Sequence, residues 1–91
     1  MLIQLFKNDI NALLPYIGEV SQIILLQDAV FSIPAIKNNH IFANISIAVI
    51  ASDWATSGLP KEILTESDVT LIEDVEWVAL CIAHQPVISI Q

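Results

Sequence analysis

The sequence has no arginine and only three lysines against ten acidic residues, which gives a formal net charge of −7. Binding to a nucleic-acid backbone relies on clustered Lys and Arg side chains, and the same cations attract a protein to an anionic membrane surface. The sequence therefore predicts no direct contact with nucleic acid and none with a membrane.

Cysteine and glycine are also scarce. Because Cys81 is the single cysteine, an internal disulfide and a cysteine-rich zinc site are excluded, and a lone thiol suits a reducing cytoplasm. With only Gly18 and Gly58, the chain cannot form a glycine-rich phosphate loop. No Ser-His-Asp motif and no metal-ligand spacing stand out. The residues by themselves therefore predict a non-catalytic chain without a metal or a cofactor.

A long hydrophobic run is missing as well. No uncharged apolar stretch reaches about 18 residues, the length that a membrane-spanning helix needs, and no basic leader precedes an apolar region as in a signal peptide. Yet 55% of the 91 residues are hydrophobic, and the mean hydropathy is +0.68. A single small domain has only a marginal core of its own. We therefore expect a cytoplasmic protein whose excess apolar residues form a subunit interface.

The apolar run Ile23–Leu26 is continuous rather than alternating, which predicts a strand covered on both faces. Gln27 and Asp28 follow at its carboxyl end, where open α/β sheets bind ligands. Asp53 follows another predicted strand, Ile45–Ile50, in the same way. These three polar residues are candidates for a site at the sheet edge. The alternative is that Asp28 and Asp53 cap the helices that come next.

The rest of the chain alternates between short apolar runs and helical patterns. Further strands are predicted at Met1–Phe6, Val69–Ile72 and, as an edge strand, Val87–Ile90. Helical segments are predicted at Ile10–Ile17 after a cap at Asn8 or Asp9, at Ala29–Lys37, around Trp54 up to Gly58, and at Val75–His84 after a cap at Asp74. Pro15 and Pro34 should shorten the first two helices. This order predicts one α/β domain, residues 1–91, with a mostly parallel sheet of four to five strands flanked by helices.

The last predicted helix carries two apolar stripes at helical spacing. One consists of Val75, Val78, Ala79 and Ile82, and the other of Trp77, Leu80, Cys81 and His84. One stripe is enough to dock the helix on its own sheet, so the other is a candidate subunit interface. We expect Trp77 to anchor that interface, together with Leu80 and His84. Alternatively, the C-terminal segment folds back over Trp77.

Cys81 and His84 lie three residues apart and share a helix face, so the histidine could lower the pKa of the thiol and make it reactive. The alternative is a buried cysteine that packs like a small hydrophobe, beside a histidine facing the last carbonyls of the helix. The apolar neighbours of Cys81 favour the alternative. Three carboxylates, Glu73, Asp74 and Glu76, are placed where the helix dipole favours negative charge.

One segment resembles a known family. Leu25–Val30, Leu-Leu-Gln-Asp-Ala-Val, is similar to the Leu-Leu-Gln-(Asp/Asn)-Gly-Val segment of the DsrH/TusB family of sulfur-relay subunits. Gly58-Leu59 resembles the end of the family's Ala-Arg-Gly-Leu motif, with Ser57 in place of the arginine. Trp77-Val78 and His84 match an aromatic-Val pair and a terminal histidine. The resemblance covers nearly the whole chain.

The resemblance implies a DsrEFH-like α/β fold and assembly with TusC/DsrF-like and TusD/DsrE-like subunits into a hetero-oligomer. The sulfur-accepting cysteine that matters most belongs to the TusD/DsrE-type subunit, so this chain would be a non-catalytic subunit. Tus complexes pass sulfur towards 2-thiolation of the tRNA wobble uridine, and Dsr complexes serve sulfur oxidation. The lack of a cysteine in the N-terminal half favours the Tus branch. Two alternatives remain: a sulfurtransferase carrying a persulfide on Cys81, or a homo-oligomeric α/β module of unrelated function.

Overall fold

The computed structural model describes all 91 residues and contains five strands, four α-helices and three 3-10 helices. The strands are β1 Leu2–Leu5, β2 Gln22–Leu25, β3 Ser46–Ile50, β4 Val69–Ile72 and β5 Val87–Ile90. The α-helices are α1 Ile33–Lys37, α2 Ala51–Ser57, α3 Lys61–Thr65 and α4 Asp74–Ala83. The 3-10 helices are Ile10–Tyr16, Gln27–Ser32 and His40–Phe42.

All five strands are parallel and lie in the order β4-β3-β2-β1-β5. The central strand β2 is buried along its whole length, which confirms the prediction from its continuous apolar run. β4 and β5 form the two edges. Parallel strands need crossover connections, and the helices between the strands supply them. The predicted α/β fold with a parallel sheet flanked by helices is therefore confirmed.

The two faces of the sheet are covered unequally. On the first face, 14 buried residues form the main core with partly buried side chains from α2 and α3, and they include Leu13, Val30 and Phe42 from the 3-10 helices. The second face has only six buried residues: Leu2, Ile24, Leu26, Ala48, Ile50 and Ile72. Trp77, Leu80 and Cys81 of α4 pack against this smaller cluster. A single helix thus covers the second face.

Several local predictions differ from the structure. The segment with Pro15 is a 3-10 helix because proline cannot donate the α-helical hydrogen bond, and Leu14 of its predicted buried stripe is 46% exposed. Asp9 caps this helix as predicted, since its side chain accepts a bond from the Asn11 N–H group. The short helix α3 was not predicted, because five residues after Pro60 are too few to show a periodicity.

The predicted caps of the later helices are wrong by one or more residues. Glu73, not Asp74, is the N-cap of α4, and it forms a capping box in which its N–H group donates to Glu76 Oε1 at 3.1 Å. α2 begins directly after Ile50, so Asp53 lies inside its first turn and does not cap it. Gly58 ends α2 as predicted, with the positive φ of 75° that favours glycine.

Candidate functional site

The carboxyl edge of the sheet brings two of the three predicted polar residues together. Because β2 and β3 are parallel neighbours, the residues that follow them meet at the same edge. The Gln27 N–H group donates to Asp53 Oδ2 at 2.8 Å. Gln27 has a φ of +51°, which is uncommon for a residue with a side chain. The carboxylate of Asp53 therefore holds the strained turn that leads out of the central strand.

Asp28 does not have the capping role predicted for it. The 3-10 helix that contains it starts after Leu26 and has no side-chain cap, and Asp28 itself is exposed. The backbone N–H group of Gln27 is instead hydrogen-bonded to Asp53, which lies 26 residues further along the chain. None of the three surface cavities is lined by Gln27, Asp28 or Asp53. The hydrogen bond between Gln27 and Asp53 therefore has a structural role, which we call a clasp, and a ligand site at this edge stays a prediction.

A second clasp holds the other end of the 3-10 helix Gln27–Ser32 and was missed in the sequence. Ser32 is fully buried, and its hydroxyl donates to Asn8 Oδ1 at 2.9 Å. This bond ties the segment that follows β1 to the end of the 3-10 helix that follows β2. Asn8 was considered only as a helix cap, and nothing in the local pattern around Ser32 indicates its partner.

Cys81 and His84 lie on the same side of α4, but the hydrogen bonds of the two side chains lead elsewhere. Cys81 Sγ is 3.9 Å from Gln4 Oε1, and His84 Nδ1 is 3.3 Å from Ser21 Oγ. Partial burial raises the pKa of the Cys81 thiol, and a hydrogen bond with the Trp77 side chain opposes the shift. A raised pKa leaves less thiolate, the form that acts as a nucleophile.

The inner side of α4 is anchored by polar as well as apolar contacts. Trp77 Nε1 donates to Gln4 Oε1 at 2.7 Å, and Gln4 Nε2 donates to Ser89 Oγ at 2.9 Å. This chain of bonds links α4 to β1 and to the edge strand β5. Gln4 is another residue that sequence reasoning missed, although a glutamine within the apolar stretch Leu2–Leu5 is a signal for a buried polar partner.

The two stripes of α4 face in opposite directions. Trp77 and Leu80, two of the predicted interface residues, are partly buried against the chain's own sheet, and His84 is partly buried beside Ser21. The outward side chains are those of the other stripe, with Val75, Val78 and Ile82 exposed by 82%, 58% and 69%. The structure therefore places the exposed apolar surface of α4 on the stripe without Trp77, and a partner contact by Trp77, Leu80 and His84 stays a prediction.

A groove runs along each side of α4. The first has a volume of about 550 Å³ and is lined by residues of β3, β4 and α4 that include Ser46, Thr70 and Ala79. The second, of about 430 Å³, separates α4 from β5 and is lined by Val78, Ile82 and Val87 among others. The second face of the sheet is thus incompletely filled on both sides of its only helix.

The remaining polar features of the surface do not form a centre of known chemistry. A shallow cavity of about 320 Å³ next to His40 is bordered by the salt bridge between Lys37 Nζ and Glu66 Oε2, at 2.9 Å. No three His, Cys, Asp or Glu side chains are grouped so that they could hold a metal ion. None of the helices is long and apolar enough to cross a membrane.

Comparison with known proteins gives one result of consequence. The model of the family DsrH, described as "DsrH like protein", matches residues 5–87 of the chain. No curated protein matches the chain significantly. The family match runs from the last residue of β1 to the first residue of β5, so it includes the sheet edge at Gln27 and the whole of α4. By this match the chain belongs to the DsrH family.

Proposed function

We propose that this chain is a non-catalytic, TusB-type subunit of a cytoplasmic sulfur-relay complex that contributes to 2-thiolation of the tRNA wobble uridine. The match to the DsrH family over residues 5–87 carries the proposal, because that family suggests a sulfur-relay subunit that usually acts together with other subunits of the relay. The expected partners are a TusC/DsrF-like and a TusD/DsrE-like chain.

The environment of Cys81 supports a role without covalent sulfur transfer. A persulfide carrier reacts as a thiolate on an accessible surface. Here the only thiol is partly buried under α4, its pKa is raised by that burial, and His84 is hydrogen-bonded to Ser21. The sulfur-accepting thiol of the complex would therefore belong to a partner subunit, and this chain would support assembly.

The charge of the chain supports an indirect role in tRNA modification. With a net charge of −7 and no arginine, the surface repels a phosphate backbone. The contact with tRNA would then be made by another protein that receives the sulfur. The apolar outer stripe of α4 and the incompletely covered second face of the sheet supply surface for the assembly itself.

Deletion of the gene in the native host, followed by mass spectrometry of digested tRNA, tests the proposal. We expect the 2-thiouridine nucleoside to fall strongly and to be restored by the wild-type chain and also by Cys81→Ser. Unchanged 2-thiouridine in the deletion strain would refute the tRNA role. Restoration by the wild type but not by Cys81→Ser, with both chains present at equal levels, would favour the sulfurtransferase alternative.

Assembly is tested separately by co-expressing the tagged chain with the TusC/DsrF-like and TusD/DsrE-like chains of the same genome. We expect all three to co-purify at a fixed ratio through affinity and size-exclusion chromatography. A chain that elutes alone, or as a stable homo-oligomer that excludes the other two, would contradict the proposed complex and favour the homo-oligomeric alternative.

A further inference from the structure

The outer stripe of α4 is an apolar surface that no part of this chain covers. Val75, Val78 and Ile82 are all more than half exposed, and Val87 at the start of β5 lies across the adjoining groove at 36% exposure. The segment after α4 pairs with β1 as strand β5 and therefore does not fold back over the helix. A contiguous exposed apolar patch on a small domain is typical of a protein–protein contact.

Negative charge surrounds one end of this patch. Glu73, Asp74 and Glu76 are all exposed at the start of α4. At 3.6 residues per turn, Asp74 and Glu76 project on opposite flanks of the line through Val75 and Ile82. The sequence from Glu73 to its last residue contains no lysine and no arginine. The surface thus combines an apolar centre with an acidic rim, and the segment that forms both contains no lysine or arginine.

The strand next to the patch has an open outer edge. β5 pairs only with β1, so its outer edge has unpaired backbone groups, and its sequence Val-Ile-Ser-Ile carries no charge. Exposed edge strands commonly carry lysine or proline to prevent pairing with another chain, and here a proline, Pro86, precedes β5 while none lies within it. An open edge beside an apolar patch extends the surface available for a partner. A larger surface favours an interface, because a standard interface buries about 800 Å² on each side.

We propose that this surface, made of Val75, Val78, Ile82 and Val87 with the carboxylates at the start of α4, docks a different protein chain that presents an apolar patch flanked by Lys or Arg. The proposal rests on the proposed function, since it assigns the place where a partner of the relay complex binds. Charge complementarity selects the partner. A second copy would bring together two chains that each carry a net charge of −7, and its own copy of this surface would offer no lysine or arginine to the acidic rim.

Two double variants test the apolar centre in the co-expressed complex. Val78→Gln with Ile82→Gln should weaken partner binding by at least about 30-fold, because buried aliphatic anchors near the centre of an interface carry most of its affinity. Leu14→Gln with Ile41→Gln is the matched control, since these exposed side chains lie over the first face of the sheet, at 46% and 42% exposure. The control should bind within about twofold of the wild type. Circular dichroism establishes that both variants are folded.

Salt dependence tests the acidic rim. Raising NaCl from about 50 mM to about 500 mM should weaken binding of the wild-type chain by about tenfold, since complementary charges at an interface are screened by salt. Asp74→Asn should bind more weakly at low salt and respond less to added salt. An affinity that does not depend on salt would overturn the choice of a basic partner.

The outcomes separate this surface from the proposed function. If the wild-type chain binds the other subunits and the α4 variant binds equally well, the surface is wrong and the proposed function stands. If the wild-type chain binds neither subunit, both the proposed surface and the proposed function are refuted. If the wild-type chain dimerises by itself and the α4 variant is monomeric, the occupant is a second copy, which overturns the basic partner.

Discussion

Replacing Asp53 with alanine should destabilise the chain more than replacing any other exposed or partly exposed carboxylate. Asp53 Oδ2 accepts the Gln27 N–H group at 2.8 Å, and this bond joins the turn after β2 to the first turn of α2. Gln27 adopts a φ of +51°, a conformation that a residue with a side chain holds only when its surroundings support it. The alanine variant removes that support and leaves the N–H group without its partner.

The expected loss follows from the strength of the hydrogen bond and from its exposure to water. A hydrogen bond to a charged group contributes about 1.5–3 kcal/mol, and partial exposure of Asp53 lowers this towards the smaller value because water can replace the carboxylate. We therefore expect a decrease of about 1.5 kcal/mol in the free energy of unfolding. For a domain of this size, that corresponds to a decrease in Tm of about 6–12 °C. Asp53→Asn keeps an acceptor oxygen and should lose about half as much.

Urea denaturation followed by circular dichroism measures the effect, with Asp28→Ala as the matched control. Asp28 is a neighbouring exposed carboxylate outside every hydrogen bond described above, so its removal should change stability by less than about 0.5 kcal/mol. Gln27→Gly, which tolerates a positive φ, should reduce the additional loss caused by Asp53→Ala. Equal losses for Asp53→Ala and Asp28→Ala would refute the structural role of the clasp.

Three further predictions concern the core and α4. Leu25→Ala, at a fully buried position of the central strand, should cost about 3 kcal/mol or prevent folding, as read from the urea midpoint, whereas a loss below about 1 kcal/mol would contradict its place in the core. Trp77→Phe removes the donor to Gln4 Oε1 and should cost about 1 kcal/mol in the same assay; no loss would contradict the anchor. Iodoacetamide should modify Cys81 more slowly at neutral pH than it modifies free glutathione, because burial raises the pKa of the thiol. Because the pKa of the Cys81 thiol is higher in the folded chain than in the unfolded chain, the protonated thiol contributes to the free energy of unfolding. This contribution is complete below the ordinary pKa of a thiol and is lost as the pH rises through the folded value. Alkylation as fast as that of glutathione would contradict the raised pKa.

The strands could be predicted because each one is a short, nearly continuous apolar run. β4 begins and ends at the predicted residues, and β5 was predicted as an edge strand from its β-branched content. The order of the strands could not be predicted in the same way. β5 lies beside β1 because of the path of the chain after α4, and the side chains of Val87–Ile90 contain no local signal that selects β1 over β4 as a neighbour.

The polar contacts were the hardest part to predict. Gln27 and Asp53 were recognised as edge residues, but their bond spans 26 positions in the sequence. The positive φ of Gln27 could not be predicted either, because this position is not a glycine. The partners of Ser32 and Trp77 are also distant along the chain, 24 and 73 positions away. Patterns of a few residues describe local structure, whereas these bonds depend on which strands become neighbours.

The direction in which α4 faces shows why an interface is difficult to assign from sequence. Both stripes are apolar at the same spacing, so periodicity cannot select the inner one. The structure turns the larger side chains inward, because Trp77 buries its ring against the sheet and finds an acceptor in Gln4 for its N–H group. The aliphatic stripe of Val75, Val78 and Ile82 is left outside. A tryptophan with a polar partner in its own sheet is therefore better evidence for the core than for a docking surface.

The same arrangement separates stability from assembly on one helix. Contacts on the inner side of α4 fix the helix on the sheet through Trp77, Leu80 and Gln4, so changes there should alter folding and binding together. Val78 and Ile82 contribute little to the core because most of their surface is exposed, so changes there should alter binding while the fold is kept. If the outer stripe were merely a poorly packed part of the domain, replacing it with glutamine would leave partner affinity unchanged. A loss of partner affinity in the glutamine variant therefore indicates an interface, and an unchanged affinity indicates apolar residues that are exposed without a binding role.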